Sequence, residues 1–258
     1  MEPRAAGGAG ALTEGAPAGV PPAPYTGRVD TDVDELVAGR LVLLAGGTSA
    51  AGAAAARALH AADARVVVAG RDPVKLDALR REVPGIATVV CDLADEDAVA
   101  ALVDGAHADH GPVDGVLQLV GGWRGGGGLA GQTDADFRVL EVSLTALRHV
   151  SRAFDDDLRA STAGRLAIVS SPAVTRPLAG GANYAAVKAA SEAWTRAVGQ
   201  GFAKSARDAG AAQTAAAVIF RVGNLAGLED ALADAFVALW DDDASVWHDA
   251  VIELTPGV

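Results

Sequence analysis

Tyr184 and Lys188 stand four residues apart. In a helix that spacing puts both side chains on one face, one turn from each other. The stretch Ala182 to Ala209 is rich in alanine and other good helix formers, which predicts a helix there. A free phenol titrates near pH ~10, and a neighbouring ammonium favours the phenolate and pulls that value toward neutrality. A phenol tuned in this way can exchange a proton with an alcohol or carbonyl oxygen. Ser171, thirteen residues upstream, ends the apolar run Leu166-Ala167-Ile168-Val169-Ser170-Ser171. That run reads as a buried strand, and a hydroxyl at its end can hold a substrate oxygen beside the phenol. A Tyr-x-x-x-Lys pair alone is a weak signal, so the elements around it must decide.

Length and composition set the frame. At 258 residues, half of them hydrophobic, the chain fits one α/β domain with a large core. Residues 1–35 are rich in Gly, Ala and Pro and read as a disordered leader; residues 36–258 read as a single domain. The formal charge of −12 argues against a nucleic-acid surface and against anionic membranes. No apolar run approaches the ~18 residues needed to cross a bilayer. Cys91 is the single cysteine. One thiol makes no internal disulfide or cysteine metal cluster, and the default setting is reducing and cytoplasmic. His107 and His110 have the i, i+3 spacing of a metal pair, but without a third ligand nearby they read as a solvated helix end. No metal is expected.

The elements alternate strand and helix from Arg40 onward. Leu41 to Ala45 is a continuous apolar run, as suits a parallel strand covered on both faces. Gly46-Gly47-Thr48-Ser49-Ala50-Ala51-Gly52 follows, then an alanine-rich helix to about Ala61. Strand, small-residue turn and helix bring backbone N–H groups and the positive helix end against a pyrophosphate. The second strand, Arg65 to Gly70, ends at Arg71 rather than at the acidic residue that would bond a ribose hydroxyl. A guanidinium suits a phosphate dianion, which favours NADP(H) over NAD. Asp72 reads as the cap of a helix opening at Pro73. Further strands are expected at Ile86–Cys91, Val113–Val120, Gly164–Ser171, Ala215–Val222 and Ala250–Leu254. Helices are expected at Asp95–His110, Thr133–Leu158 and Leu228–Trp240. The alternation implies a parallel sheet with helices on both faces. The glycine-rich loop after Gly121 falls at the carboxyl edge of that sheet and reads as mobile, with Trp123 a candidate pocket wall.

With these residues in place the chain resembles the short-chain dehydrogenase/reductase family, over roughly Arg40 to Thr255. The resemblance rests on the Ser171–Tyr184–Lys188 spacing, the Gly46 to Gly52 turn, Ala69-Gly70-Arg71-Asp72 and Cys91-Asp92-Leu93. It implies a Rossmann-type, doubly wound, seven-stranded parallel sheet. It implies that Tyr184 is the general acid/base, Ser171 the anchor of the substrate oxygen, and Lys188 the residue that tunes Tyr184 and holds the nicotinamide ribose. Gly46, Thr48, Ser49, Ala50, Ala51 and Gly52 would form the pyrophosphate turn. Arg71 would read the 2′-phosphate, Asp92 and Leu93 would meet the adenine, and Gly121 would line the cofactor. Ser143 stands where the family often has an Asn that supports a proton-relay water. Gln118-Leu119-Val120-Gly121 replaces the usual Asn-Asn-Ala-Gly, and Val222-Gly223-Asn224-Leu225 runs almost directly into a helix, with no long substrate-covering segment.

The resemblance further implies a homodimer or homotetramer and a small carbonyl or alcohol substrate. The expected activity is NADP(H)-dependent hydride transfer between a carbonyl and an alcohol. The departures keep two alternatives open: a nucleotide-binding sensor or partner subunit with little turnover, and an isomerase or dehydratase on the same scaffold.

Overall fold

The structure, a computed structural model, describes residues 34–255. The leader expected over residues 1–35 falls almost wholly outside the described residues. Seven strands form one sheet, β1 Leu41–Ala45, β2 Arg65–Gly70, β3 Ala87–Val90, β4 Gly115–Gln118, β5 Gly164–Ser170, β6 Ala215–Val222 and β7 Val251–Leu254. Their order is β3-β2-β1-β4-β5-β6-β7, and every pairing is parallel. The strand order reverses between β1 and β4, the point where ligands settle in open α/β sheets.

Alternation along β1 shows why the strands read as unbroken apolar runs. Val42 and Leu44 enter one core layer, while Leu41, Leu43 and Ala45 enter the other. The first layer is closed by α1 Asp34–Val37, α2 Ala50–Ala61, α3 Pro73–Glu82 and α8 Glu229–Val237. The second is closed by α4 Glu96–Asp109, α5 Asp134–Ala153, α6 Asp155–Ala160 and α7 Ala182–Asp208. Four helices start on side-chain caps: Ser49 for α2, Asp72 for α3, Asp95 for α4 and Thr133 for α5.

The expected helix from Thr133 to Leu158 is two helices. It breaks at Phe154, whose ring is fully buried. Three aspartates follow and open α6, where the helix dipole favours negative charge. The break lets Asp157 reach β4: its carboxylate accepts the Val113 N–H at 2.9 Å and meets His107 Nε2 at 2.8 Å. The helix expected to end at Trp240 likewise passes into a single 3-10 turn at Ala238–Trp240. Arg165 on β5 is fully buried and donates to the carbonyls of Leu239, Thr214 and Asp242 at 2.7, 3.1 and 2.8 Å. It fastens the start of β5 to the segment after α8 and to the residue before β6, far from the carboxyl edge. Among the described residues no helix is long and apolar enough to cross a membrane.

Candidate active site

The turn after β1 is closed to within van der Waals limits. Gly46 has φ +83, and a Cβ there would lie 2.7 Å from Val120 Cγ2. A Cβ on Gly52 would lie 2.0 Å from the Gly47 carbonyl oxygen. Gly47 has no more room, since its Cβ would meet Val68 and Leu44 at 2.8 and 2.9 Å. The three glycines therefore press the turn onto β2, β4 and α2, and the first turn of α2 faces the crevice. Ser49 accepts the Gly52 N–H at 3.3 Å. Ala50 is exposed at the helix start, whereas Ala51 is buried in the core, so only the backbone of Ala51 is available to a ligand.

A cavity of about 460 Å³ continues from this turn along the ends of β2 and β3. Thr48, Ser49, Arg71, Lys75, Asp92 and Leu93 line it. Asp72 caps α3 by accepting the N–H groups of Val74 and Lys75 at 3.0 and 3.2 Å, and the neighbouring Arg71 guanidinium has no side-chain partner among the described residues. Lys75 lines the same cavity one turn into α3; the sequence offered only its spacing of four from Arg71. Asp92 turns its carboxylate to the Ala94 N–H at 3.0 Å. Cys91 is buried beside it, and burial, then Asp92 and Asp95, push its thiol up.

A second cavity of about 1040 Å³ lies over the ends of β4, β5 and β6. Ser49, Leu119, Val120 and Gly121 line both cavities, so the two form one crevice. Ser171, Tyr184 and Lys188 come together in the second. Gly121 also lies there, where a Cβ would sit 3.6 Å from Lys188 Nζ. Adjacent cavities with a glycine-tight turn at their junction fit an extended dinucleotide.

Lys188 does not act on Tyr184 as the spacing predicted. Its Nζ donates to the Val169 carbonyl at 2.7 Å and lies 5.8 Å from the centroid of the Tyr184 ring. Burial raises the Tyr184 pKa above its ordinary value, with the Ser171 hydroxyl working in the opposite direction. The phenol of the resting site is therefore protonated at neutral pH. Burial also lowers Lys188 to about 8, against the pull of Glu192 one turn along α7.

Glu192 was not among the residues singled out from sequence. It is 3 % exposed and anchors a network behind the site. Ser170 Oγ donates to it at 2.7 Å, and Arg221 grips both carboxylate oxygens at 2.8 and 2.7 Å. Burial pushes the carboxyl up, but the hydrogen bonds from Arg221 and Ser170 outweigh it and hold Glu192 below its usual range. This ties α7 to β5 and β6.

Ser143 does not line the large cavity. Its hydroxyl donates to Leu140 O at 2.7 Å within α5. It borders a void of about 10 Å³ shared with Gln118, Ser191 and Lys188. The Gln118 side chain is 4 % exposed, and neither polar atom of its amide has a partner among the described residues.

The outer wall is the glycine loop, which is pinned rather than free. Gly126 N–H donates to Gly180 O at 2.7 Å. The Gln132 amide nitrogen reaches the carbonyls of Gly126, Gly128 and Gly180 at 3.1, 3.3 and 2.9 Å. Its oxygen accepts the Asn183 N–H at 3.1 Å, serving as a remote cap for α7, whose own Gly181 has no side chain to offer. Trp123 does line the cavity, with 61 % of its surface exposed. Residues 223–228 connect β6 to α8 without a long insertion, and Gly223, Asn224 and Leu225 line the cavity.

Comparison with known proteins agrees with this architecture. Bovine L-xylulose reductase is 44 % identical over 82 residues, 32 % of this chain and 32 % of that protein. Nodulation protein G of Rhizobium meliloti (strain 1021) is 34 % identical over 164 residues, 63 % of this chain and 66 % of that protein. The matched segment thus spans about a third of the reductase's length. A crystal structure of a metagenomic short-chain oxidoreductase in complex with NADP superposes with a TM-score of 0.72 at 28 % identity, covering 87 % of this chain and 100 % of that one. The family model described as short chain dehydrogenase matches residues 40–207. On its fold, its crevice and that match, the chain belongs to the short-chain dehydrogenase family.

Proposed function

We propose that the protein is an NADP(H)-dependent oxidoreductase that interconverts a carbonyl and an alcohol, with Tyr184 as general acid/base. The observation that carries this reading is the meeting of Ser171, Tyr184 and Lys188 in a cavity continuous with the glycine turn. A nicotinamide bound there supplies hydride to the carbonyl carbon or accepts it from the alcohol carbon. Tyr184 gives the carbonyl oxygen its proton in the direction of reduction; burial raises its pKa and makes it a weaker acid, so donation depends on groups that stabilise the phenolate as it forms. Ser171 holds the same oxygen and keeps it within reach of the phenol. Lys188, charged below about pH 8, holds the ribose hydroxyls and stabilises the phenolate left after proton transfer.

The remaining residues hold the cofactor. Gly46, Thr48, Ser49, Ala50, Ala51 and Gly52 present backbone N–H groups and the N-terminus of α2 to the pyrophosphate. Arg71 pairs with the 2′-phosphate, which favours NADP(H) over NAD, and Lys75 adds a second cation beside it. Asp92 and Leu93, which line the smaller cavity, would meet the adenine, and Gly121, whose Cβ would lie 3.6 Å from Lys188 Nζ, would leave room for the nicotinamide ribose. Ser143 acts only indirectly, from the void behind Lys188. A homodimer or homotetramer through α5 and α7 belongs to the same proposal. Light scattering reads the assembly directly.

The deciding experiment is Tyr184→Phe with NADPH and a panel of ketones and aldehydes. Turnover falls by about 10² to 10⁴ on loss of the acid/base group, while NADPH titrates as it does in the parent protein. Undiminished turnover in this variant rules Tyr184 out as the acid/base.

A further inference from the structure

In a chain with 33 acidic and 21 basic side chains, the large cavity is lined by positive charge alone, whereas the smaller one has Asp72 and Asp92 beside Arg71 and Lys75. Among the described residues, none that lines the large cavity is Asp or Glu; its charged residues are Lys188 and Arg176. Lys188 is engaged with Val169 O. Arg176, in the connection from β5 to α7, is exposed, and its guanidinium has no hydrogen-bond or ion-pair partner among the described residues. Arg71 and Arg176 are the arginines that line the crevice.

On the reading above, Arg71 and the turn before α2 take the cofactor's phosphates. The nicotinamide end carries only a neutral carboxamide, so the cofactor has no anion for Arg176. The same cavity is lined by the apolar side chains of Trp123, Pro172 and Leu178. A cavity of about 1040 Å³ is large enough for a drug-sized molecule as well as a nicotinamide. We propose that the substrate is an amphiphile whose carbonyl sits at Ser171 and Tyr184, whose apolar body lies against Trp123 and Leu178, and whose anionic group pairs with Arg176. A planar guanidinium takes a carboxylate or a phosphate in bidentate fashion, so the shared chemistry is the anion. This inference rests on the proposed function for the position of the carbonyl, but its binding arm does not require turnover.

The test uses three matched probes, 4-acetylbenzoate, 4-acetylphenyl phosphate and methyl 4-acetylbenzoate. Each is titrated into the NADPH-loaded protein, with tryptophan fluorescence as the readout, and each is then assayed for NADPH oxidation. An anionic probe binds about ten- to a hundredfold more tightly than the neutral ester, the size expected of a charge-assisted hydrogen bond. Whichever anion leads identifies the group. Arg176→Ala erases the preference, Arg176→Lys keeps part of it, and added salt weakens the anions selectively. Equal binding of all three probes, binding of none, or a preference that survives Arg176→Ala overturns the inference. Anion-selective binding without any NADPH oxidation instead counts against the oxidoreductase reading and leaves the anion site standing. Equal reduction of ester and acids does the reverse.

Discussion

Gly52→Ala sets two effects of opposite sign against each other. In an ordinary helix the change stabilises, because alanine exceeds glycine in helix propensity by about 0.8 to 1 kcal/mol. Here the new Cβ would sit 2.0 Å from the Gly47 oxygen and 2.4 Å from its carbonyl carbon, where ordinary contact begins at 3.4 Å. The obstacle is backbone, so no rotamer change relieves it, and the turn must open by more than 1 Å. Overpacking costs about 1 to 3 kcal/mol, and a backbone clash belongs at the upper end. The net expectation is a loss of about 2 kcal/mol, or roughly 4 to 8 °C in Tm for a domain of this size. Opening the turn also moves the Ser49 cap and the N–H groups facing the crevice, so NADPH affinity falls by about tenfold or more, roughly 1.4 kcal/mol. Thermal unfolding and NADPH fluorescence titration read both quantities. Gly105→Ala on the exposed face of α4 is the control, since nothing lies within 4 Å of its Cβ. That variant gains about 0.5 to 1 kcal/mol and binds NADPH like the parent. If Gly52→Ala were as stable as the parent and bound NADPH equally well, the steric argument for the turn would be wrong.

Three further outcomes follow from the site. Lys188 titrates at about 8 in the folded protein, so ribose-side cofactor affinity is full below that pH and declines above it; an NADPH affinity flat from pH 7 to 9.5 would contradict this. Its lowered pKa also means that the buried ammonium opposes folding below about pH 8, a penalty that fades as pH rises toward the ordinary lysine value. Glu192→Ala leaves Arg221 without its bidentate partner and costs about 3 to 5 kcal/mol in denaturant unfolding, whereas Glu192→Ala/Arg221→Leu recovers part of that loss. Because the folded-state pKa of Glu192 is depressed, its contribution is complete above the unfolded carboxylate range and is lost as pH falls through the folded value. Arg71→Ala weakens NADPH far more than NADH in parallel titrations, and equal losses would remove the phosphate-reading role.

The fold was legible because its signals are local. Apolar runs marked the strands, and Asp72, Asp95 and Thr133 marked helix starts that the structure reproduces. The residues gathered around the crevice were legible where they fell into short motifs: the Gly46 to Gly52 turn, Arg71, and the Ser171–Tyr184–Lys188 set. What escaped depends on distant pairing. Glu192 and Arg221 are 29 positions apart, and nothing near either announces the other. Asp157 reaches back 44 positions to Val113, which explains a helix break that periodicity alone ran through. The sign of the Tyr184 shift was missed for a similar reason. Spacing placed an ammonium nearby, but burial of the ring and the engagement of Lys188 with Val169 O come from the packing of α7 on β5.

The clasp made by Gln132 joins two parts of the molecule, the glycine loop and the start of α7. One carboxamide binds the flap over the crevice mouth and also the opening turn of the helix that carries Tyr184. Displacing that loop would strip the helix of its first-turn acceptor, one residue ahead of Tyr184. Loop and helix therefore share one latch, and the placement of the Tyr184 ring is coupled to the seating of the loop.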